Sequence, residues 1–586
     1  MTRFACLTLI LLLAACANQG DQVAETAPDE QAAGAPAAGS PAAGSPAAEP
    51  APIERPIPPE SVYPLLVAEF ALRRRSYAEA LDRYLELAPV LRDPGVSAHA
   101  THLAQFLQRE PEALQAVSLW TELEPDSVEA NATLALLLAR RGNNVAAADH
   151  LGAVARNGGE ANFPVLVNGF SRLSPQQQSQ LAASINELAQ EFPEDPELLL
   201  TQALLLDELG EEARALDKLE ELFEVEPDKI GAVLLEAKLL QETGARKPLR
   251  RVETLLEEQP DNEQLRLQYA RMLTRDDMEN ARKQFEILAA NSPGDGQLLL
   301  PLALINREIG DNLAAKSYLR QMLQHQQQEG TVYYYLGQIA EDEGEVQSAI
   351  YNYMKVTDGR EFFSANARVG QLYIDGNEPQ KFDAYFDQMR TRYPERSERL
   401  FGIEADLLSR SGNLEGAVAA LSRGLEAYPE SASLRYTRAM IGEQLDNLTL
   451  MERDLRAIIA SDPGNATALN ALGYTLADRT QRFDEAYELI SRALALEPDE
   501  PAILDSMGWI LYRKGEYEEA IGYLERAYAA FPDPEVAAHL GEVLWVSGDT
   551  RGAVRIWEAA LEEAPDHEVL VTTIRRLRAR ESVIAS

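Results

Sequence analysis

The side chains of this 586-residue sequence that most often carry chemistry are two cysteines and six histidines. His99 and His102 are three residues apart, so on a helix they would lie on one face and could share a metal ion. A metal site needs further ligands, and the neighbouring sequence offers none, so packed or exposed side chains are the simpler interpretation. The other four histidines are isolated in the sequence: His150, His325, His539 and His567.

Sequence motifs of catalysis are also absent. The chain contains no Gly-rich loop that ends in Gly-Lys-Ser/Thr and no His-Glu-x-x-His motif. The residues of a Ser-His-Asp triad can occur in any order in a sequence, so no fixed motif reveals them. An envelope hydrolase with an unrecognised site is therefore an alternative. We predict that the protein is not an enzyme and has no catalytic residue, no metal site and no cofactor.

The cysteines point to covalent lipid attachment. Residues 1–15 contain one basic residue and then an apolar run that is too short to span a bilayer, which predicts a signal peptide. The segment Leu13-Ala14-Ala15-Cys16 resembles the bacterial lipobox. That resemblance implies cleavage before Cys16, a diacylglycerol on its thiol and acylation of the new amine. The alternative is an ordinary signal peptide with a chance cysteine.

Cysteine usage and the residues after Cys16 predict the compartment. Cys6 lies in the segment to be removed, so the mature chain would have neither a free thiol nor a disulfide. Ala17 follows Cys16, whereas in lipoproteins of enteric bacteria an aspartate at this position signals retention at the inner membrane. By resemblance, the chain is therefore expected at the outer membrane, lipid-anchored and facing the periplasm, with the inner membrane as the alternative.

Residues 16–60 form a predicted disordered linker. The segment includes GAPAAGSPAAGSPAAEPAP and has few large apolar side chains, so it cannot bury enough surface to offset its ordering entropy. As a flexible coil it would span roughly 35–40 Å and hold the folded part away from the membrane.

The net charge of the chain limits the class of partner that it can bind. The chain has 54 Lys and Arg against 94 Asp and Glu, a formal net charge of −40. Such a surface repels polyanions as a whole, so we predict no nucleic-acid binding.

A repeating unit accounts for most of the remaining sequence. In residues 501–533, two segments with helical apolar spacing are separated by Gly515, and each is too short to be stable alone. Gly508 and Ala520 are small where paired helices would approach closely. Prolines close successive units at intervals of 33 to 35 residues: Pro193, Pro227, Pro260 and Pro293, then Pro429, Pro463, Pro498, Pro532 and Pro565.

This period and its Gly/Ala/Pro positions resemble the tetratricopeptide repeat. The resemblance implies an all-α, right-handed α-solenoid of roughly fifteen helix pairs over residues 61–565, followed by a capping helix at 566–586. The pattern is weakest at 161–192 and where Pro379 interrupts the second half of a unit, so degenerate units are expected there.

The repeat family also implies where partners bind. In this family the first helix of each unit lines a concave groove. Trp509 lies outside the positions that pack inward, so it is predicted to be an exposed binding anchor. The alternative is that Trp509 and Trp545 contact the adjacent repeat. The predicted protein-binding residues are Tyr334, Asn470, Tyr474, Asp505, Trp509, Tyr512, Glu542 and Trp545.

The whole architecture resembles large repeat lipoproteins of the Gram-negative outer membrane. It is most similar to the lipoprotein adaptor of a periplasmic carboxyl-terminal processing protease. That resemblance implies a scaffold that binds the protease and delivers substrates such as peptidoglycan hydrolases. A scaffold for exopolysaccharide export or pilus assembly is the first alternative.

Substitution of Cys16 tests the predicted lipid anchor. Cys16→Ser removes the thiol that would accept diacylglycerol, so metabolic labelling with palmitate is expected to be lost. The protein should also move from the detergent phase to the aqueous phase of a Triton X-114 partition. Cys6→Ser is the matched control and should keep the label. A Cys16→Ser chain that still carries label would contradict lipidation at this residue.

Overall fold

The computed structural model describes residues 57–584 of the chain. The predicted signal peptide, Cys16 and all but the last residues of the predicted linker lie outside this range. Helix α1 begins at Pro59, two residues before the expected start of the repeats. The described residues form helices in tandem and contain no strand, which confirms the all-α prediction. None of these helices is both long enough and apolar enough to cross a membrane.

The chain divides into two compact units between Leu166 and Val167. In the first unit each odd-numbered helix packs on the helix that follows it, as the repeat predicts. Its helices are α1 (Pro59–Arg73), α2 (Tyr77–Leu91), α3 (Pro94–Phe106), α4 (Glu110–Leu123), α5 (Val128–Arg140) and α6 (Asn144–Arg156).

The second unit starts irregularly and then repeats. A 3-10 helix, Phe163–Val167, spans the division, and another lies at Phe170–Arg172. The α-helices are α7 (Pro175–Glu191), α8 (Pro196–Glu208), α9 (Glu212–Val225), α10 (Ile230–Glu242), α11 (Arg250–Glu258), α12 (Glu263–Leu273), α13 (Met278–Asn291), α14 (Gly296–Glu308), α15 (Asn312–Gln324), α16 (Glu329–Asp342), α17 (Val346–Tyr353), α18 (Phe362–Asp375), α19 (Pro379–Arg392), α20 (Ser397–Arg410), α21 (Leu414–Ala427), α22 (Ala432–Gln444), α23 (Leu448–Ser461), α24 (Ala466–Arg479), α25 (Phe483–Leu496), α26 (Pro501–Lys514), α27 (Tyr517–Ala530), α28 (Pro534–Ser547), α29 (Thr550–Glu563) and α30 (Glu568–Ile584). A short 3-10 helix, Pro394–Arg396, precedes α20.

Local sequence explains where these helices begin and end. Pro501 occupies the first turn of α26, where no backbone N–H is needed for the helix. Gly515 follows α26 with φ +89°, a left-handed conformation that a side chain would strain, so it ends the helix as predicted. Asp533 and Asp549 cap α28 and α29 by accepting hydrogen bonds from backbone N–H groups of the first turn.

Small residues set the distance between paired helices. A Cβ atom on Gly508 of α26 would lie 2.5 Å from Leu524 Cγ and 3.0 Å from the carbonyl oxygen of Ala520, both on α27. In the next pair, a Cβ on Gly541 would lie 2.0 Å from Nε1 of the fully buried Trp557. These contacts confirm that the glycines are required by close helix approach.

The repeat pattern is weakest at 161–192 and at Pro379, and the structure is irregular only at the first of these two places. At 161–192, two 3-10 helices and the 17-residue α7 stand where a regular helix pair was least expected. The prediction that Pro379 interrupts a helix was wrong. Pro379 instead opens the 14-residue α19, because proline is accommodated in the first turn of a helix.

A pair of glycine substitutions tests the close-packing constraint. Gly508→Ala forces Cβ against Leu524 and is expected to lower the free energy of unfolding by about 1–3 kcal/mol. Gly522→Ala is the control, since nothing lies within 4 Å of its Cβ position on α27. It should leave stability unchanged or raise it by about 0.5–1 kcal/mol. Thermal unfolding followed by circular dichroism measures both, and equal midpoints for the two variants would refute the constraint.

Candidate protein-binding surface

The first helices of three consecutive pairs, α24, α26 and α28, carry all the predicted binding residues except Tyr334. Helix α24 packs on α26, α26 on α28, and α28 on α30. Every residue from Ile503 to Leu511 on α26 and from Val536 to Leu544 on α28 is buried. Helices α26 and α28 are therefore covered on all sides at mid-length, including the side predicted to be open.

A buried ion pair joins α26 to α28. His539 Nδ1 lies 3.0 Å from each carboxylate oxygen of Asp505, and both residues are less than a tenth exposed. The Trp509 ring stacks on the imidazole with centroids 4.2 Å apart and an interplanar angle of 24°. Stacking and ion pairing together fix the position of the imidazole between the two helices.

Tyr474 extends this network from α24 to α28. Its hydroxyl donates to Glu535 Oε1 at 3.2 Å and lies 3.5 Å from His539 Nε2. A protonated imidazole would donate from Nδ1 to Asp505 and from Nε2 to the Tyr474 oxygen, which donates onward to Glu535. The Tyr474 side chain thus reaches across α26 and links two repeats that are not adjacent in the chain.

The electrostatic surroundings favour protonated His539. Burial is the largest influence and lowers its pKa. It is outweighed by the charge and hydrogen bond of Asp505, together with the charges of Glu535 and Glu542, so the net shift is upward. When protonated, His539 places a buried cation between α26 and α28, next to Asp505.

A second link joins α26, α28 and α30. Tyr512 donates its hydroxyl hydrogen to Glu542 Oε1 at 3.0 Å, and Arg576 of α30 pairs with the other carboxylate oxygen of Glu542. The hydrogen bond to Glu542 raises the pKa of Arg576, while burial and Glu542 raise the pKa of the Tyr512 phenol. This arginine attaches α30 to the pair before it, as expected of a helix that covers the last unit.

The expectation that Trp509 is an exposed anchor was wrong. Trp509 is 7% exposed and belongs to the core, and Asp505 and Glu542 are equally buried. Trp509 instead contacts His539 of the adjacent repeat, which is the alternative given above. Trp545 is half-buried, but its ring contact is with Trp557 of its own pair, at 5.4 Å.

The remaining predicted residues are half-buried. Asn470 Nδ2 lies 3.5 Å from the carbonyl oxygen of Ala502 on the adjacent first helix. Tyr334 lies on α16, where its ring contacts Tyr335 and Tyr353, and is not part of this network. Partner binding by these residues stays a prediction.

Sequence reasoning missed His539. It appeared isolated because its partner Asp505 lies 34 residues earlier. A signal was present, however, since Glu535, His539 and Glu542 are spaced four and three residues apart on an otherwise apolar helix. Three ionisable groups on one face of a buried helix predict a polar partner there.

In the first unit, His99 and His102 do not face a common point. His102 Nε2 pairs with Glu129 Oε1 at 2.9 Å, and His99 Nδ1 lies 3.1 Å from the Gly95 carbonyl oxygen. Within the described part of the chain, no group of three or more His, Cys, Asp or Glu side chains could hold a metal ion.

Comparison with known sequences identifies the repeat and two relatives. The chain is 37% identical over 526 residues to the TPR repeat-containing protein PA4667 of Pseudomonas aeruginosa, covering 89% of each protein. It is 27% identical over 137 residues to the type IV pilus assembly protein PilF of that organism, covering 23% of this chain and 54% of PilF. The pattern described as tetratricopeptide repeat matches residues 404–450, 452–501, 475–535 and 506–568.

Two of the solved structures that match this chain cover most of its length. Naa15/Naa10 bound to HypK-THB has a TM-score of 0.43 at 12% identity and covers 89% of this chain and 96% of that one. Yeast Tom70 has a TM-score of 0.31 at 15% identity and covers 90% of this chain and 97% of that one.

The raised pKa of His539 predicts pH-dependent stability. A group whose folded pKa exceeds its unfolded value stabilises the fold fully below the unfolded value of about 6.5, and that contribution is lost as the pH rises through the folded pKa. His539→Gln should therefore cost about 1.5–3 kcal/mol at pH 6 and less at higher pH. Urea unfolding at pH 6 and pH 9 measures this difference.

Tryptophan fluorescence suits this measurement, because Trp509, Trp545 and Trp557 all lie between α26 and α29. His99→Gln, at an exposed position in the first unit, is the control and should leave both midpoints unchanged. An equal loss at both pH values for His539→Gln would contradict a stabilising imidazolium.

Proposed function

This chain belongs to the tetratricopeptide repeat proteins, and from that premise we propose that it is an outer-membrane-anchored adaptor for proteolysis. It binds a periplasmic carboxyl-terminal processing protease through its repeats and presents protein substrates such as peptidoglycan hydrolases. Cys16 supplies the lipid anchor, and residues 16–60 supply the tether. The protein acts as a scaffold and not as an enzyme.

The observation that carries the binding role is the fixed, accessible edge formed by Tyr474 of α24, Tyr512 of α26 and Glu535 of α28, outside the buried middle of α26 and α28. Tyr474 and Tyr512 are half-buried, and both hydroxyls are held by carboxylates, Glu535 and Glu542. Aromatic side chains whose rotamers are fixed before binding lose little entropy when a partner covers them. The exposed Glu535 lies at the edge of this network and offers a negative charge to the partner.

Effective concentration is the proposed mechanism. A protease and its substrate held on one tethered array meet far more often than the same proteins free in the periplasm. Neither partner needs to be altered chemically by the scaffold. The protease and hydrolase partners rest on the resemblance in architecture, since the name of the relative PA4667 specifies only its repeats.

A scaffold for pilus assembly is the second candidate. The similarity to PilF over 137 residues supports it, although that match covers only 23% of this chain. Exopolysaccharide export belongs to the same class of lipidated scaffolds. The third candidate, an envelope hydrolase, lacks a supporting observation in the described residues.

Affinity purification of the full chain from detergent-solubilised membranes separates these functions. Recovery of a serine protease with wall hydrolases, identified by mass spectrometry, is the expected result. Recovery of pilus, secretin or polysaccharide-export proteins instead would favour the second candidate. Substrate turnover by the purified protein alone would favour the third.

A charge reversal at Glu535 locates the binding face. Glu535→Lys removes the acceptor of the Tyr474 hydroxyl and reverses the charge at the edge of the network. Partner affinity is expected to fall by about fivefold or more. Glu525→Lys makes the same charge change at an exposed position of α27 and should bind normally. Equal loss in both variants would show that net charge, and not this face, governs binding.

A further inference from the structure

A separate pocket lies where α28 ends and α29 begins, outside the network of His539 and Asp505. It is an open depression with a volume of about 360 Å³. Its apolar lining residues are Trp545 of α28 and Val554 of α29. The remaining lining residues are Thr550, Arg551, Arg555 and Glu558 of α29.

The two arginines of this pocket are exceptional in their region. Arg551 and Arg555 are exposed, one turn apart on α29, and make no ion pair within the described residues. Like charges at this spacing destabilise a helix slightly. Every other Lys or Arg from α24 to α29 has an oxygen partner: Arg479, Arg482, Arg492, Arg513, Lys514 and Arg526.

Arg551 and Arg555 are therefore not neutralised by an ion pair within the described residues, although the chain has 94 acidic residues. Glu558 lines the same pocket, so the formal charge of its walls is +2 from the arginines and −1 from the glutamate, or +1. That balance is neutralised by one negative charge, such as that of a carboxylate.

The apolar walls define the rest of the ligand. Trp545 is half-buried and its ring is held against Trp557, so the indole presents a fixed apolar surface at the pocket. Arg guanidinium groups bind carboxylates through paired hydrogen bonds, which orients the anion as well as attracting it. A carboxylate with an apolar side chain beside it would satisfy both parts of the pocket at once.

We propose that this pocket binds a carboxylate flanked by an apolar side chain in a partner polypeptide. Arg551 and Arg555 hold the carboxylate, while Trp545 and Val554 contact the apolar side chain. The carboxylate can be a chain terminus or an acidic side chain, because both present the same group. This site is on a second helix and is argued from its own residues, so it does not depend on the protease adaptor role.

Peptide binding to the full detergent-solubilised chain tests the proposal. The probe is a fluorescein-labelled octapeptide that ends in Leu-Leu with a free carboxylate, measured by fluorescence anisotropy. A second peptide has the same sequence with a terminal amide, and a third has an amidated end and an internal Glu-Leu pair. At least one of the two peptides with a carboxylate, the first or the third, should bind at least about tenfold more tightly than the amidated second peptide.

Two double variants with equal charge change supply the control. Arg551→Glu with Arg555→Glu should weaken binding of the carboxylate peptide at least about tenfold. Arg575→Glu with Arg578→Glu, at exposed positions of α30 outside the pocket, should change it less than about twofold. Tight binding of the third peptide would assign the carboxylate to a side chain.

Two results would each overturn the site: neither the free-carboxylate peptide nor the Glu-Leu peptide binds more tightly than the amidated Leu-Leu peptide, or the two double variants lose binding equally. Failure here is distinguishable from failure of the adaptor role, because the affinity purification is scored by the identity of the proteins recovered.

Discussion

Within each compact unit of the described chain, a helix pair depends on the neighbouring pair to cover its apolar surface. A helix of 13 or 14 residues has one face for its own partner and a second for the following unit, and neither is stable when exposed. Close approach is possible only where small residues meet large ones, as Gly508 meets Leu524 and Gly541 meets Trp557. This packing constraint, repeated at intervals of 33 to 35 residues, fixes the order of the helices and therefore which side chains share a surface.

The polar network of the last units is built on that packing and adds specificity to it. Apolar contacts between first helices would allow small shifts in register, but the pairing of Asp505 with His539 does not, since a buried charge without its partner is costly. The half-buried Tyr474 and Tyr512 are held by hydrogen bonds from their hydroxyls to Glu535 and Glu542. The proposed binding face is thus formed largely before any partner arrives, which is the condition for affinity without a large ordering cost.

The helices of α24 to α29 could be predicted from the sequence because glycine, alanine and proline act locally. Gly515 ends a helix through its own backbone angle, and Pro501 begins one for a similarly local reason. The burial of Trp509 could not be predicted, because counting positions gives the direction of a side chain and not how closely neighbouring first helices approach. The partnership of His539 with Asp505 was missed for a related reason, since it depends on the distance between units. Pro379 shows the opposite error, in which a local signal was assigned to the wrong turn of a helix.

The reach of Tyr474 across α26 to Glu535 has a consequence for how the array responds to force. In an ideal one-dimensional stack, each repeat is coupled only to its immediate neighbours, so a pull on one end peels the units away singly. A bond that skips a unit couples the separation of α28 to that of α24. Under tension applied at the C-terminal end, pulling α28 away from α26 would therefore also load α24 through this bond, so the last pairs would not separate independently of one another.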